Sequence, residues 1–156
     1  MIIDGYEKQE KRIKKYFEKY VNDDNPVLYD YFSFEGDKKT SDYYLSLILK
    51  EKKKVLITPL YAYTAEENDI PTLNSYSVIM DWEGYPRCII KTTKVSIIPF
   101  NNITKEIVDL EGENTTLEEW KASNEKYYKE DAMEYGYSFS SDMELCVEEF
   151  VIVHKN

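Results

Sequence analysis

Ser75-Tyr76-Ser77-Val78-Ile79-Met80-Asp81 is followed by Trp82-Glu83-Gly84-Tyr85-Pro86 and then by Arg87-Cys88-Ile89-Ile90-Lys91-Thr92-Thr93-Lys94-Val95-Ser96-Ile97-Ile98. Branched and aromatic side chains dominate both flanks, and these suit a pleated sheet better than a helix. Glu83-Gly84 between them is a turn signal. The stretch therefore predicts one strand over Ser75 to Asp81 and a longer one over Arg87 to Ile98, which Pro99 ends.

Outward from this pair, Val55 to Leu60 and Glu144 to His154 also read as strands, and Tyr31 to Phe34 as a short extended piece turning at Gly36-Asp37. Helical spacing appears nearer the ends of the chain. From Tyr6 to Val21 the residues Tyr6, Ile13, Tyr16, Phe17 and Tyr20 share one face, and Asn22-Asp23-Asp24-Asn25-Pro26 stops the pattern. A second helix is expected from a cap at Thr40 or Ser41 to about Lys50, burying Tyr44, Leu47 and Ile48. Thr64-Ala65-Glu66-Glu67 reads as a capping box opening one short turn. Thr104 to Asp109 reads as a short helix, and Thr116 to about Lys129 as a longer one, opened by the capping box Thr116/Glu119. Strands in the middle with helices at both ends predict an α+β fold built on a closed or nearly closed barrel. We expect an N-terminal helical segment over residues 1–26 packed on a barrel domain over residues 27–156, as one globular unit.

Charge narrows the functional classes. The chain has 30 Asp+Glu against 20 Lys+Arg, a net of −10. Residues 1–54 carry 12 Lys+Arg against 11 Asp+Glu, and the remainder 8 against 19. A domain this acidic repels a phosphate backbone at long range, so duplex DNA is not an expected partner. The N-terminal lysines Lys8, Lys11, Lys14, Lys15 and Lys19 could still form a local basic face. No apolar run approaches the roughly 20 residues of a membrane span. Met1-Ile2-Ile3-Asp4-Gly5 lacks a leader's basic start and apolar middle, and Cys88 and Cys146 show no metal or redox spacing, so a cytoplasmic protein with reduced thiols is expected. His154 is the sole histidine, which leaves no His-based triad or zinc site to assemble; neither metal nor cofactor is expected.

The residues with chemical potential are few. In Leu110-Glu111-Gly112-Glu113-Asn114-Thr115-Thr116-Leu117-Glu118-Glu119-Trp120, Glu113 precedes a helix start, where backbone amides favour an anion. Held there it could act as acid, base or acceptor; alternatively Glu111 and Glu113 are solvated loop charges. Lys50, Lys52, Lys53 and Lys54 could complement the end of a helix dipole. Arg87 could reach a phosphate or pair with a surface carboxylate. Tyr61, Tyr63, Tyr76 and Trp82 could stack bases, or simply pack, in a chain with 15 tyrosines.

The order of these pieces resembles the ASCH domain family, which is related to PUA domains. Gly36-Asp37 ahead of a helix with Asp42 near its start is similar to the first family signature, and Leu47-Ile48-Leu49-Lys50-Glu51-Lys52-Lys53 to its helix end and lysine turn. Ser77 to Asp81 with Gly84, Pro86 and Cys88 resembles the first barrel hairpin. Thr92-Thr93-Lys94-Val95 and Pro99-Phe100 resemble the strand that follows. Glu111-Gly112-Glu113, Leu117 and Trp120 continue the pattern, and Glu148 and Phe150 match its closing strand.

That resemblance implies a small twisted PUA-like β-barrel flanked by helices, with a cleft that receives a nucleobase or RNA. Family members that hydrolyse acylated pyrimidine nucleosides use a lysine, a threonine three residues later and a glutamate. Lys53 and Glu113 take the lysine and glutamate positions. The threonine position is Leu56, and Thr58 could supply a hydroxyl only if the site moved by about 6–7 Å along the strand. Sliding the match to Lys54 puts Ile57 there instead. Asn124 stands where members often carry histidine, and Glu51 where a turn glycine is usual. The implied contacts are Lys53, Glu113 and Thr58 for catalysis, with Gly36, Asp37, Lys54, Tyr61, Arg87, Asn114 and Trp120 for binding. Binding of RNA or a nucleoside, with Lys53 and Glu113 lining the cleft, is the leading expectation. Amide hydrolysis of an N4-acetylcytidine type of substrate and a non-catalytic protein-interaction role are the alternatives.

Overall fold

The computed structural model describes residues 2–156, with side-chain surroundings from residue 5 onward; Met1, where the leader reading begins, lies outside the described residues. Along the chain run α1 (Ile2–Tyr20), β1 (Leu28–Phe32), α2 (Lys38–Leu49), β2 (Val55–Pro59), α3 (Leu60–Ala65), β3 (Tyr76–Met80), β4 (Pro86–Pro99), α4 (Lys105–Leu110), α5 (Leu117–Tyr135) and β5 (Glu144–Lys155). The five strands form one mixed sheet in the order β1-β3-β4-β5-β2. The expected hairpin is its centre: β3 and β4 pair antiparallel, β4 and β5 pair over nearly their full lengths, β2 adds antiparallel to β5, and β1 adds parallel to β3.

The barrel, expected to be closed or nearly closed, is not closed. β1 and β2 are the two edges and do not pair with each other. Residues from both edges instead line a single cavity, Tyr29, Asp30 and Phe32 from β1 and Leu56, Ile57 and Thr58 from β2. Irregular register in β4, between Ile89 and Ile90 and between Thr92 and Lys94, bends the long strands, as bulges do.

Alternation along the strands sorts the core. Tyr76, Val78, Met80 and Ile89 pack against Ile13 and Phe17 of α1 on one face. Ile79, Cys88, Ile90 and Phe150 pack against Leu45 and Ile48 of α2 on the other. Val55, Leu145 and Val147 pack against Val108 of α4 and Trp120 and Tyr128 of α5. The first helix therefore covers the face turned away from α2, and Tyr20 stacks on His154 at 3.6 Å there.

Three helix ends differ from the sequence reading. Asp37, not Thr40 or Ser41, caps α2, accepting from the Thr40 amide at 2.8 Å. Thr64 lies in the last turn of α3 rather than opening a turn, because that helix already begins at Leu60 directly after β2. The longer helix α5 runs on to Tyr135, where Gly136 adopts the left-handed conformation (φ 76°) that ends it.

Candidate functional site

The cavity, of about 620 Å³, lies on the α2 side of the sheet between its two edges. Its floor is polar, with Ser77 and Glu148 lining it and Thr92 behind Glu148. Ser77 of β3, Thr92 of β4 and Glu148 of β5 are all buried, and Thr92 Oγ1 donates to Glu148 Oε2 at 2.5 Å. Tyr29, Phe32, Phe34, Tyr44, Tyr63, Trp120 and Tyr127 supply aromatic surface around it.

One wall is assembled by a backbone clasp. At the end of α2 the Glu51 amide donates to the Ile48 carbonyl at 2.8 Å and the Lys52 amide to the Leu47 carbonyl at 2.9 Å. Glu51 takes φ +58°, the left-handed position that usually calls for glycine. The chain then turns into β2, and the Lys54 amide donates to the Leu110 carbonyl at 2.8 Å. Gly112, at φ +75°, lies against the Lys52–Lys53 peptide so closely that a Cβ would stand 2.4 Å from the Lys52 oxygen. Lysine and acidic loop are thus brought together by main chain.

Within this clasp the Lys53 side chain is only 6% exposed, and its Nζ lies 3.7 Å from Glu111 Oε2 and 5.6 Å from the Tyr44 ring centre. Trp120 Nε1 donates to the other oxygen of Glu111. The ion-pair partner of the lysine is therefore Glu111, two residues before the glutamate that sequence matching singled out. Glu113 is half-buried in the same cavity beside Tyr44. Desolvation pushes its pKa up, the Glu111 carboxylate pushes the same way, and Lys53 and the Tyr44 hydroxyl only partly oppose them. Glu148 is also pushed up, by burial first and by Asp30, against the hydrogen bond from Thr92.

Of the expected site residues, Lys53, Glu113, Thr58 and Trp120 line the cavity. Thr58 faces the Tyr63 phenol, and Leu56 adds apolar surface to the cavity wall. The other six are engaged elsewhere. Gly36 (φ +103°) forms a turn and Asp37 caps α2. The Lys54 side chain is exposed while its backbone joins α4 to β5. Tyr61 packs on the Tyr137 ring at 4.5 Å. Arg87 pairs with the carboxylate of Asp81 at 3.8 Å. Asn114 makes a left-handed turn (φ +55°), which asparagine tolerates. Asn124 donates to the Trp120 carbonyl of its own helix at 2.9 Å, so its amide is engaged with backbone.

Sequence reasoning placed Tyr44 on a buried helix face, Glu111 in a loop and Ser77, Thr92 and Glu148 in strands, but gave none of them a part in the site. One signal was present. On β5, Cys146, Glu148 and Phe150 share a face, so Glu148 is a carboxylate set in an apolar row, and buried acids need a reason. Among the described residues no cluster of three His, Cys, Asp or Glu side chains is arranged to hold a metal ion, and no helix is long and apolar enough to cross a membrane.

An α+β sheet whose unpaired edges flank a polar-floored aromatic cavity defines the class of this molecule. The ASCH domain model matches residues 30–154, and the chain belongs to that family. Among solved structures it is similar to the ASCH domain from Lactobacillus crispatus JV V101, with a TM-score of 0.80 and 24% identity over 94% of each chain. It is also similar to protein EF3133 from Enterococcus faecalis V583, with a TM-score of 0.78 and 26% identity over 94% of this chain and 88% of that one. A third, the hypothetical protein PH0355, shares the fold at a TM-score of 0.52 and 14% identity, over 79% of this chain and 97% of that one. No curated protein matches the chain.

Proposed function

We propose that the chain binds a nucleobase or nucleoside, free or presented by single-stranded RNA, in the cavity between β1 and β2. The observation that carries this reading is a set of polar groups facing one aromatic-walled hollow: buried Ser77 and Glu148, and buried Lys53 paired with the partly buried Glu111. Its volume of about 620 Å³ suits a small organic ligand. A flat heterocycle can stack on the aromatic surface while its edge meets the polar groups. Membership of a family linked in general to RNA points the same way.

Charge specifies how RNA would enter. The lining holds five carboxylates, Asp30, Glu66, Glu111, Glu113 and Glu148, against the single ammonium of Lys53. Such a surface admits a base and rejects a phosphodiester. Calorimetric titration with cytidine, uridine, adenosine and guanosine tests the proposal. Saturable binding of at least one, weakened by Lys53→Met, is expected; no heat with any of them removes it.

The hydrolase alternative keeps one supporting observation, the raised pKa of Glu113 beside Lys53, which suits a group that passes a proton. Acetate release from N4-acetylcytidine, lost in Lys53→Ala and Glu113→Ala, would establish it. Binding without turnover at high protein concentration leaves the module non-catalytic.

A further inference from the structure

We propose that Glu148 makes the cavity floor selective for a ligand that presents an amino or cationic N–H donor and carries no phosphate. This deepens the nucleoside reading and rests on it. Glu148 is 6% exposed and sits on the inner face of β5, the strand flanked by β4 and β2. Its Oε2 is occupied by the Thr92 hydroxyl at 2.5 Å. Its Oε1 accepts no hydrogen bond from the described residues, and the side chain lines the cavity. Ser77, 4% exposed, lines the same floor.

Oε1 is open to the cavity, and a carboxylate oxygen there accepts and does not donate, so a ligand hydrogen-bond donor is what it can receive. Among the described residues that line the cavity, none is a free cation that could serve as that donor. The sole ammonium of the lining, Lys53, is already beside Glu111. Asp30 acts on Glu148 as a further negative charge, and burial works in the same direction. A ligand N–H2 donating to Oε1 would favour the charged carboxylate and so offset both. A keto oxygen at the same point would face a carboxylate and be repelled. This separates cytosine from uracil and adenine from hypoxanthine, because each pair differs by an amino group in place of a keto group. The same excess of carboxylates disfavours a ligand phosphate anywhere in the hollow.

The test is calorimetric titration of the full chain with cytidine, uridine, adenosine, inosine and cytidine 5′-monophosphate. A site built around a hydrogen bond discriminates strongly against an analogue lacking it, so cytidine over uridine and adenosine over inosine are expected by about tenfold or more. The monophosphate is expected to bind at least about tenfold more weakly than cytidine. Glu148→Gln keeps the side-chain shape and an acceptor for Thr92 but can turn its amide N–H2 toward the ligand. It should bring cytidine and uridine to within about twofold. The wild-type comparisons need no variant, so poor folding of Glu148→Gln does not rescue the proposal. Equal affinity for cytidine and uridine, or a monophosphate bound as tightly as cytidine, overturns it while leaving the nucleoside reading intact. If no nucleoside binds, both fall together.

Discussion

A Cβ on Gly112 would stand 2.4 Å from the carbonyl oxygen of Lys52, a contact between two main chains with no flexible group to give way. Gly112→Ala therefore combines backbone strain at φ +75° with an unavoidable clash, and should cost about 2–4 kcal/mol. Gly84 is the control. Its φ is +89°, but an added Cβ there meets mainly the tip of the Gln9 side chain, which can swing away. Gly84→Ala should cost about 1–2 kcal/mol. Urea unfolding of both variants checks this; equal losses would show that the clasp does not hold the loop.

Glu51 supplies the opposite case. It holds φ +58° at the end of α2 without being glycine, and its ion pair with Lys155, at 3.8 Å, is solvent-exposed. Left-handed backbone penalises a residue with a Cβ, and an exposed pair contributes little. Glu51→Gly should raise stability by about 0.5–1 kcal/mol despite the entropy of an added glycine. A lower thermal midpoint would count against the reading of this turn.

Lys53 and Glu111 should be coupled in stability. Lys53→Met leaves a carboxylate that is 15% exposed with only the Trp120 indole as a donor, and should cost about 1–3 kcal/mol. Adding Glu111→Gln should recover a large part of that loss. A double-mutant cycle by denaturant unfolding measures it; strict additivity would mean that the two groups do not interact.

Glu113 and Glu148 give the pH dependence its sign. Each has a pKa raised in the folded state above the ordinary 4.5. Between the ordinary and the raised value the folded chain binds more protons than the unfolded one, so these groups make stability fall as pH rises through that window. Glu113→Gln and Glu148→Gln remove this penalty. Their stability relative to wild type should be most favourable at neutral pH and should lose that advantage as pH drops below 4.5. Unfolding curves across acid to neutral pH check it, and an advantage that grows toward acid would contradict it.

The central strands of the sheet were legible because their patterns are local, whereas the first strand, expected at Tyr31 to Phe34, lies at Leu28–Phe32. Branched side chains over Arg87 to Ile98 and the Glu83-Gly84 turn mark the central pair without reference to anything distant. The open edge was not, because whether β1 and β2 meet depends on what fills the space between them. Lys53 and Glu113 were placed in one cavity by matching a pattern, while the pairing with Glu111 depends on the Gly112 backbone contact, which no spacing rule encodes. Gly36, Asp37 and Asn114 matched the same pattern for reasons of turn and cap geometry. Family matching could not separate residues that shape the chain from residues that face the hollow.

The chain has two tryptophans, Trp82 in the exposed hairpin turn and Trp120 in the cavity wall. Trp82→Phe leaves Trp120 as the only indole, and its emission then reports on the cavity alone. Titration of that variant with nucleosides should change Trp120 fluorescence saturably, and Lys53→Met should shift the curve to higher concentration. An emission spectrum unmoved by millimolar nucleoside, in a protein shown to be folded, would contradict the assignment of this hollow as a base-binding site.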